Sequence, residues 1–147
     1  LAYFDNVSVK QDDLVLNGGF DSDTLWTKGT GVSISGGTAS VDGTQSAFTS
    51  LVQNSVHTTD KVCVLSFDVV STNGNLIKYW VAGTQNIFGT SLPVGSHEYT
   101  FRPTATGSAY FEFHTDFVGS IDNVSVREIN GNPGTLVNTP TFSTDTP

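Results

Sequence analysis

Apolar and polar residues alternate along much of this chain with a period of two. Cys63, Leu65, Phe67 and Val69 fall on one side of their segment, as do Ile77, Tyr79 and Val81, then Tyr99 and Phe101, then Phe111 and Phe113. Successive side chains of an extended strand point to opposite faces, so each run reads as a strand with one face in a core. The pattern predicts strands over 32–35, 38–42, 46–53, 62–70, 76–82, 97–102, 109–115 and 120–127. No window of about ten residues carries a convincing helical period. Turn chemistry separates the runs: Gly36-Gly37, Asp42-Gly43 and Pro93-Val94-Gly95, with Asn73-Gly74 predicting a hairpin between the fourth and fifth strands. Eight short strands within roughly 110 residues fit an all-β, two-sheet antiparallel jelly-roll sandwich.

The opposite faces of the later strands are unusual. Lys78 and Trp80 share one, Glu98, Thr100 and Arg102 another, and Tyr110, Glu112 and His114 a third. If those strands are neighbours in one sheet, they place a large aromatic, charges of both signs and a histidine in one outward strip. The plain alternative is a solvated face with cross-strand pairs of small energetic worth.

Composition agrees with strands. Thr and Val favour them, Gly, Asn and Ser supply turns, and Met is absent. A length of 147 residues allows one domain plus flanks. A net charge of −8 repels phosphate backbones and argues against a nucleic-acid partner. No apolar stretch approaches the ~20 residues that would span a bilayer, so membrane insertion is not expected. The charge suits an extracellular or virion-surface protein. The single cysteine, Cys63, reads as a small buried apolar residue.

One segment recurs. Phe4-Asp5-Asn6-Val7-Ser8-Val9-Lys10 resembles Ile121-Asp122-Asn123-Val124-Ser125-Val126-Arg127, and a weaker match follows each copy, Leu14 to Phe20 and then Leu136 to Phe142. A tandem array with a period of roughly 117–122 residues explains both. Residues 1–13 are then the last strand of a preceding repeat and a linker, 14–129 one complete module, and 130–147 a linker and the start of the next repeat. The strand at 4–9 needs a neighbouring repeat or an identical chain to bury Phe4, Val7 and Val9.

The two ends of the module carry the most specific pattern. Asn17-Gly18-Gly19-Phe20-Asp21, followed by Trp26, opens it, and Phe117-Val118-Gly119-Ser120-Ile121-Asp122-Asn123-Val124-Ser125-Val126 closes it. Over residues 14–129 this resembles carbohydrate-binding modules of the family 4, 9 and 22 type, whose like also occurs as repeats in phage tail and virion proteins. The resemblance implies a jelly roll with its first and last strands adjacent. It implies a structural calcium held by the Gly19 carbonyl, Asp21 and Asp122, with further ligands from a middle loop; calcium takes several hard oxygen ligands. The next repeat carries Ser143 where Asp21 stands here. It also implies glycan binding by stacking on an aromatic ring, with polar side chains reading hydroxyls. Trp80 is the stacking candidate, with Lys78, Glu98, Arg102, Tyr110, Glu112 and His114 around it. Trp26 reads instead as packing near the first strand.

Catalytic signals are weak. Glu98 and Glu112 could be imagined as a glycosidase pair, but nothing in the sequence sets their separation. His57, His97 and His114 lack metal-ligand spacing, and no nucleophile elbow is present. Three readings follow, none of them an enzyme. The first is an adhesion module of a phage tail fibre or virion that recognises a surface polysaccharide. The second is a structural repeat contacting only protein. The third is a targeting module of a secreted polysaccharide-degrading enzyme.

Overall fold

The computed structural model describes residues 12–82 and 85–129. The strand expected at 4–9 and the opening of a further repeat at 130–147 lie outside those residues. Among the described residues ten strands form: β1 Thr27–Lys28, β2 Val32–Ser35, β3 Thr38–Asp42, β4 Thr49–His57, β5 Cys63–Thr72, β6 Leu76–Val81, β7 Gln85–Ser91, β8 Gly95–Phe101, β9 Gly107–Phe113 and β10 Val118–Glu128. They make two five-stranded antiparallel sheets, β1-β4-β9-β6-β7 (the first sheet) and β2-β3-β10-β5-β8 (the second). The chain crosses repeatedly from one sheet to the other, as a jelly roll requires.

The alternation read from sequence lines the space between the sheets. Cys63, Leu65, Phe67, Val69, Ile77, Tyr79, Val81, Phe101, Phe111 and Phe113 are buried. Tyr99 is only partly buried because β7 and β8 are edge strands on the same flank. There it stacks on Phe88 with ring centroids 4.3 Å apart, and the two rings close that side. Trp26 packs against Phe20 and donates its indole N–H to the Asn17 carbonyl, in keeping with a packing role.

Several elements differ from the sequence expectation, the short β1 among them, since no strand was expected at 27–28. Asn73-Gly74 is a turn, with Gly74 at φ 84°, but not a hairpin, because β5 and β6 belong to different sheets. The Asn73 and Asn75 amides both donate to the Asp116 carbonyl, which fixes the crossing against the β9–β10 turn. β4 starts at Thr49 rather than at 46, because Gln45 turns its amide inward onto the carbonyls of His114 and Phe117. β7 was not expected: among the described residues it pairs with β6 alone, it buries only Phe88, and a register shift breaks it, so it shows no clean alternation.

The opening segment clasps both sheets. Leu14 donates to the Val126 carbonyl, and the Asp13 carboxylate accepts from the amides of Val15 and Val126 on the β10 side. On the β4 side, the Gln53 amide exchanges two hydrogen bonds with the Leu16 backbone, at 2.8 and 2.7 Å. Gly18 lies so close to β10 that a Cβ would stand 1.8 Å from the Val124 carbonyl oxygen, so only glycine fits.

Candidate functional site

The outward face of the first sheet brings most of the sequence-selected strip together. β6 and β9 pair so that Lys78 stands opposite Glu112 and Trp80 opposite Tyr110. On the other side of β9, Ser50 and Val52 of β4 stand opposite Glu112 and Tyr110. The Lys78 ammonium is 2.7 Å from Glu112 Oε1, with side-chain exposures of 22% and 17%. At that depth the pair is less screened than a surface ion pair, and removing one partner leaves a half-buried charge. The Tyr110 hydroxyl reaches Glu112 Oε2 at 3.4 Å. Partial burial, and then the neighbouring Glu112 carboxylate, push the Tyr110 phenol above its ordinary pKa and keep it a hydrogen-bond donor.

An aromatic that was read only as part of a strand completes the strip. Phe48, 46% exposed, lies under the Lys78 ammonium at 4.1 Å from its ring centroid, and the same ammonium is 5.7 Å from the Trp80 ring. His114 meets Phe48 edge-on at 5.2 Å. One cation is therefore held between two aromatic rings and pinned by a carboxylate, an arrangement in which cation–π attraction adds to the ion pair. The signal for Phe48 was present as a large apolar residue at an outward position of 46–53, but its loop placement could not be read from alternation. The indole Nε1 of Trp80 is buried and has no hydrogen-bond partner among the described residues.

Glu98 and Arg102 are not part of this strip. Glu98 is on β8 in the second sheet, opposite Ser66, and Arg102 follows the same strand. Glu98 and Glu112 thus face outward from different sheets and do not flank a common point. The outward positions of the second sheet bear Ser33, Ser40, Ser66, Ser96, Ser120 and Ser125, together with Val64, Asp68, Glu98, Thr100, Asp122 and Arg127.

Of the residues expected to hold calcium, Gly19 lines a hollow shared with Asp13, Ser66, Asn123 and Arg127, a hollow that Asp21 and Asp122 do not line. Asp21 is exposed next to Gly19, and Asp122 accepts a 2.6 Å hydrogen bond from the Asn123 amide. Among the described residues no group of three or more His, Cys, Asp or Glu side chains could hold a metal ion.

This two-sheet sandwich has a jelly-roll fold like that of carbohydrate-binding modules. The xylan-binding CBM22-1 domain of Paenibacillus barcinonensis Xyn10C superposes with a TM-score of 0.50 and 12% identity, over 84% of this chain and 98% of that one. The tandem CBM22-1–CBM22-2 domain of the same protein gives 0.53 and 11%, over 92% of this chain and 50% of that one. The enzymatically active domain of tailspike protein 4 from bacteriophage CBA120 gives 0.53 and 22%, over 80% of this chain. This chain spans about a fifth (21%) of that tailspike domain. At these identities the likeness is one of fold. No protein-family model and no curated protein sequence matches the chain.

Proposed function

We propose that this chain is a non-catalytic module that binds glycans through the outward face of the first sheet. The observation that carries the reading is the β6–β9 register, which sets Trp80 beside Tyr110 and Lys78 beside Glu112 on one open face. The rings offer flat apolar area to a pyranose, and the ion pair and the Tyr110 hydroxyl offer donors and acceptors to its hydroxyls. The likeness in fold to a xylan-binding domain supports the class of ligand, and that to a phage tailspike domain supports a virion or other extracellular setting. Absence of catalysis is part of the proposal. Glycoside hydrolysis uses two carboxyl groups flanking the scissile bond, and Glu112 faces no second carboxylate partner across β6 or β4. Weak single-site binding would be raised by repetition along a tandem chain.

The test is a screen of soluble plant and bacterial-surface polysaccharides against the full chain, beside Trp80→Ala. Binding that disappears in a folded Trp80→Ala variant supports the reading. Failure of the folded protein to bind any of them overturns it.

One feature favours a structural reading. Leu16 and Leu25, each 58% exposed, border a hollow with Leu14, Gln53 and Asn54 beside the point where the chain enters the module. A neighbouring repeat or an identical chain seated there would bury both leucines. Sedimentation of the full chain beside Leu16→Asp checks self-association: a dimer dissolved by the substitution favours that reading, and a monomer in both cases removes the identical chain as occupant.

A further inference from the structure

At the base of the β2–β3 hairpin three side-chain oxygens converge on one glycine. A Cβ placed on Gly31 would lie 2.8 Å from Asp42 Oδ1, 2.9 Å from Gln45 Oε1 and 3.1 Å from Thr44 Oγ1. Gly31 has φ 77°, so both its backbone and the space beside it call for glycine. All three oxygens come from four consecutive residues, Asp42-Gly43-Thr44-Gln45.

Gln45 is the telling member. It is 5% exposed, and its Nε2 donates to the carbonyls of both His114 and Phe117, at 3.1 and 2.8 Å. Two carbonyl acceptors on one side fix which end of the amide is nitrogen. Oε1 is thereby turned toward Gly31, Asp42 and Thr44, where it has no partner among the described residues. A buried acceptor without a partner carries the full cost of its lost hydration. The Thr44 hydroxyl cannot serve it, because its proton goes to Asp42 Oδ1 at 2.7 Å. The site thus presents a carboxylate, an amide oxygen and a hydroxyl lone pair, with no free donor among the three.

We propose that Asp42, Thr44 and Gln45 form a site for a hard divalent cation, calcium being the ion whose ligand preferences they fit. Its only charged ligand is Asp42, so the affinity belongs to the weak, extracellular class, with a Kd on the order of 0.1–1 mM. The net charge of −8 raises the local concentration of cations. The site is separate from Gly19, whose carbonyl lies 3.8 Å from the Cβ position of Gly37 at the opposite end of the same hairpin. The ion would steady the loop that runs from Asp42 to Phe48 and seats Phe48 under Lys78.

The test is a calcium titration of the isotope-labelled full chain, followed by amide resonances and thermal unfolding, beside Asp42→Asn and Asp21→Asn. Asp42→Asn keeps an acceptor for the Thr44 amide and hydroxyl while removing the charge. The expected result is saturable shifts at Thr44 and Gln45 that Asp42→Asn abolishes and Asp21→Asn leaves in place. With ~10 mM calcium the folded-to-unfolded ratio of the wild type should rise by about 10- to 100-fold. Absence of a calcium-dependent shift at Thr44 and Gln45 overturns the proposal. So does a response centred on Gly19 and Asp122 that Asp42→Asn retains. The wild-type map alone decides the question if Asp42→Asn does not fold.

Discussion

The two outward faces of the sandwich are built on the same number of strands and above the same core, yet they carry opposite chemistry. On the second sheet, Ser40 faces Ser120, Ser66 faces Ser125, and Ser71 and Ser120 share a 2.8 Å hydrogen bond between hydroxyls. One acid there is satisfied locally: Asp68 accepts from Ser96 and Asn123, and these bonds hold its carboxyl below the usual carboxylate range. On the first sheet, three rings and an ion pair are gathered in one patch, and Trp80 Nε1 is left without a partner. Small hydroxyls with scattered charges offer a ligand little apolar area there. The first face concentrates apolar area and a half-buried charge pair where a ligand can add contacts. The difference shows that this fold sets where strands run, while the outward half of the alternation decides what chemistry each face offers.

The largest expected effect falls on the core both faces share, and it should not distinguish them. His57, 1% exposed, bonds through Nε2 to the Tyr79 hydroxyl at 2.9 Å, and its Nδ1 has no partner among the described residues. Burial lowers its pKa from 6.5 to about 4. Because the folded value is depressed, the unfolded chain takes up the proton first as pH falls. The stability contribution is therefore complete above about pH 6.5 and declines toward pH 4, by roughly 3 kcal/mol in all. Urea unfolding at a series of pH values should show a steeper loss in the wild type than in His57→Gln. Equal slopes in the two proteins would show that His57 does not titrate this way.

Next in size is Trp80→Ala, which should lower glycan affinity by about 10- to 100-fold, or 1.4–2.7 kcal/mol. Ser66→Ala and Ser125→Ala on the other face should change it less than about 2-fold, since a lone solvated hydroxyl contributes little. Calorimetry with whichever polysaccharide binds would read both. A comparable loss from the serines would abolish the distinction between the faces.

A smaller effect is expected from the ion pair. Lys78→Met and Glu112→Gln should each weaken binding by several-fold, and a double-mutant cycle on stability should give a coupling of about 1 kcal/mol, discounted for the exposure of both groups. A coupling near zero would mean that the pair is ordinary surface decoration and that the rings act alone.

The fold was legible because burial enforces a period of two, and Cys63 to Val69 or Ile77 to Val81 could hardly sit otherwise. What alternation lacks is any statement of which strands are neighbours. Glu98 and Arg102 had the same outward phase as Glu112, and only the sheet order puts them on the other face. The Asn73-Gly74 turn was read correctly as a turn, but the turn residues do not say whether the chain returns to the same sheet. Edge strand β7 was invisible because a strand with one neighbour and one buried ring need not alternate. Phe48 and Gln45 were missed because a loop residue is placed by distant partners, here Lys78 and the carbonyls of His114 and Phe117.

The smallest predicted effect lies on the second face, at two acids that are direct cross-strand partners. Asp122 of β10 stands opposite Asp68 of β5, and like charges so placed repel by a few tenths of a kcal/mol. Asp68 is relieved by Ser96 and Asn123, whereas Asp122 has only the adjacent Asn123 amide. Asp122→Asn should therefore raise stability slightly in a chelator. Calcium bound by the Gly19 carbonyl, Asp21 and Asp122 would reverse that sign, because the substitution would then remove a charged ligand. Thermal unfolding of Asp122→Asn with calcium and with chelator separates the two. A gain in both conditions leaves the second face without an ion at Asp122. A loss confined to calcium would give that face an ion of its own and make the contrast with the first face one of ligand type.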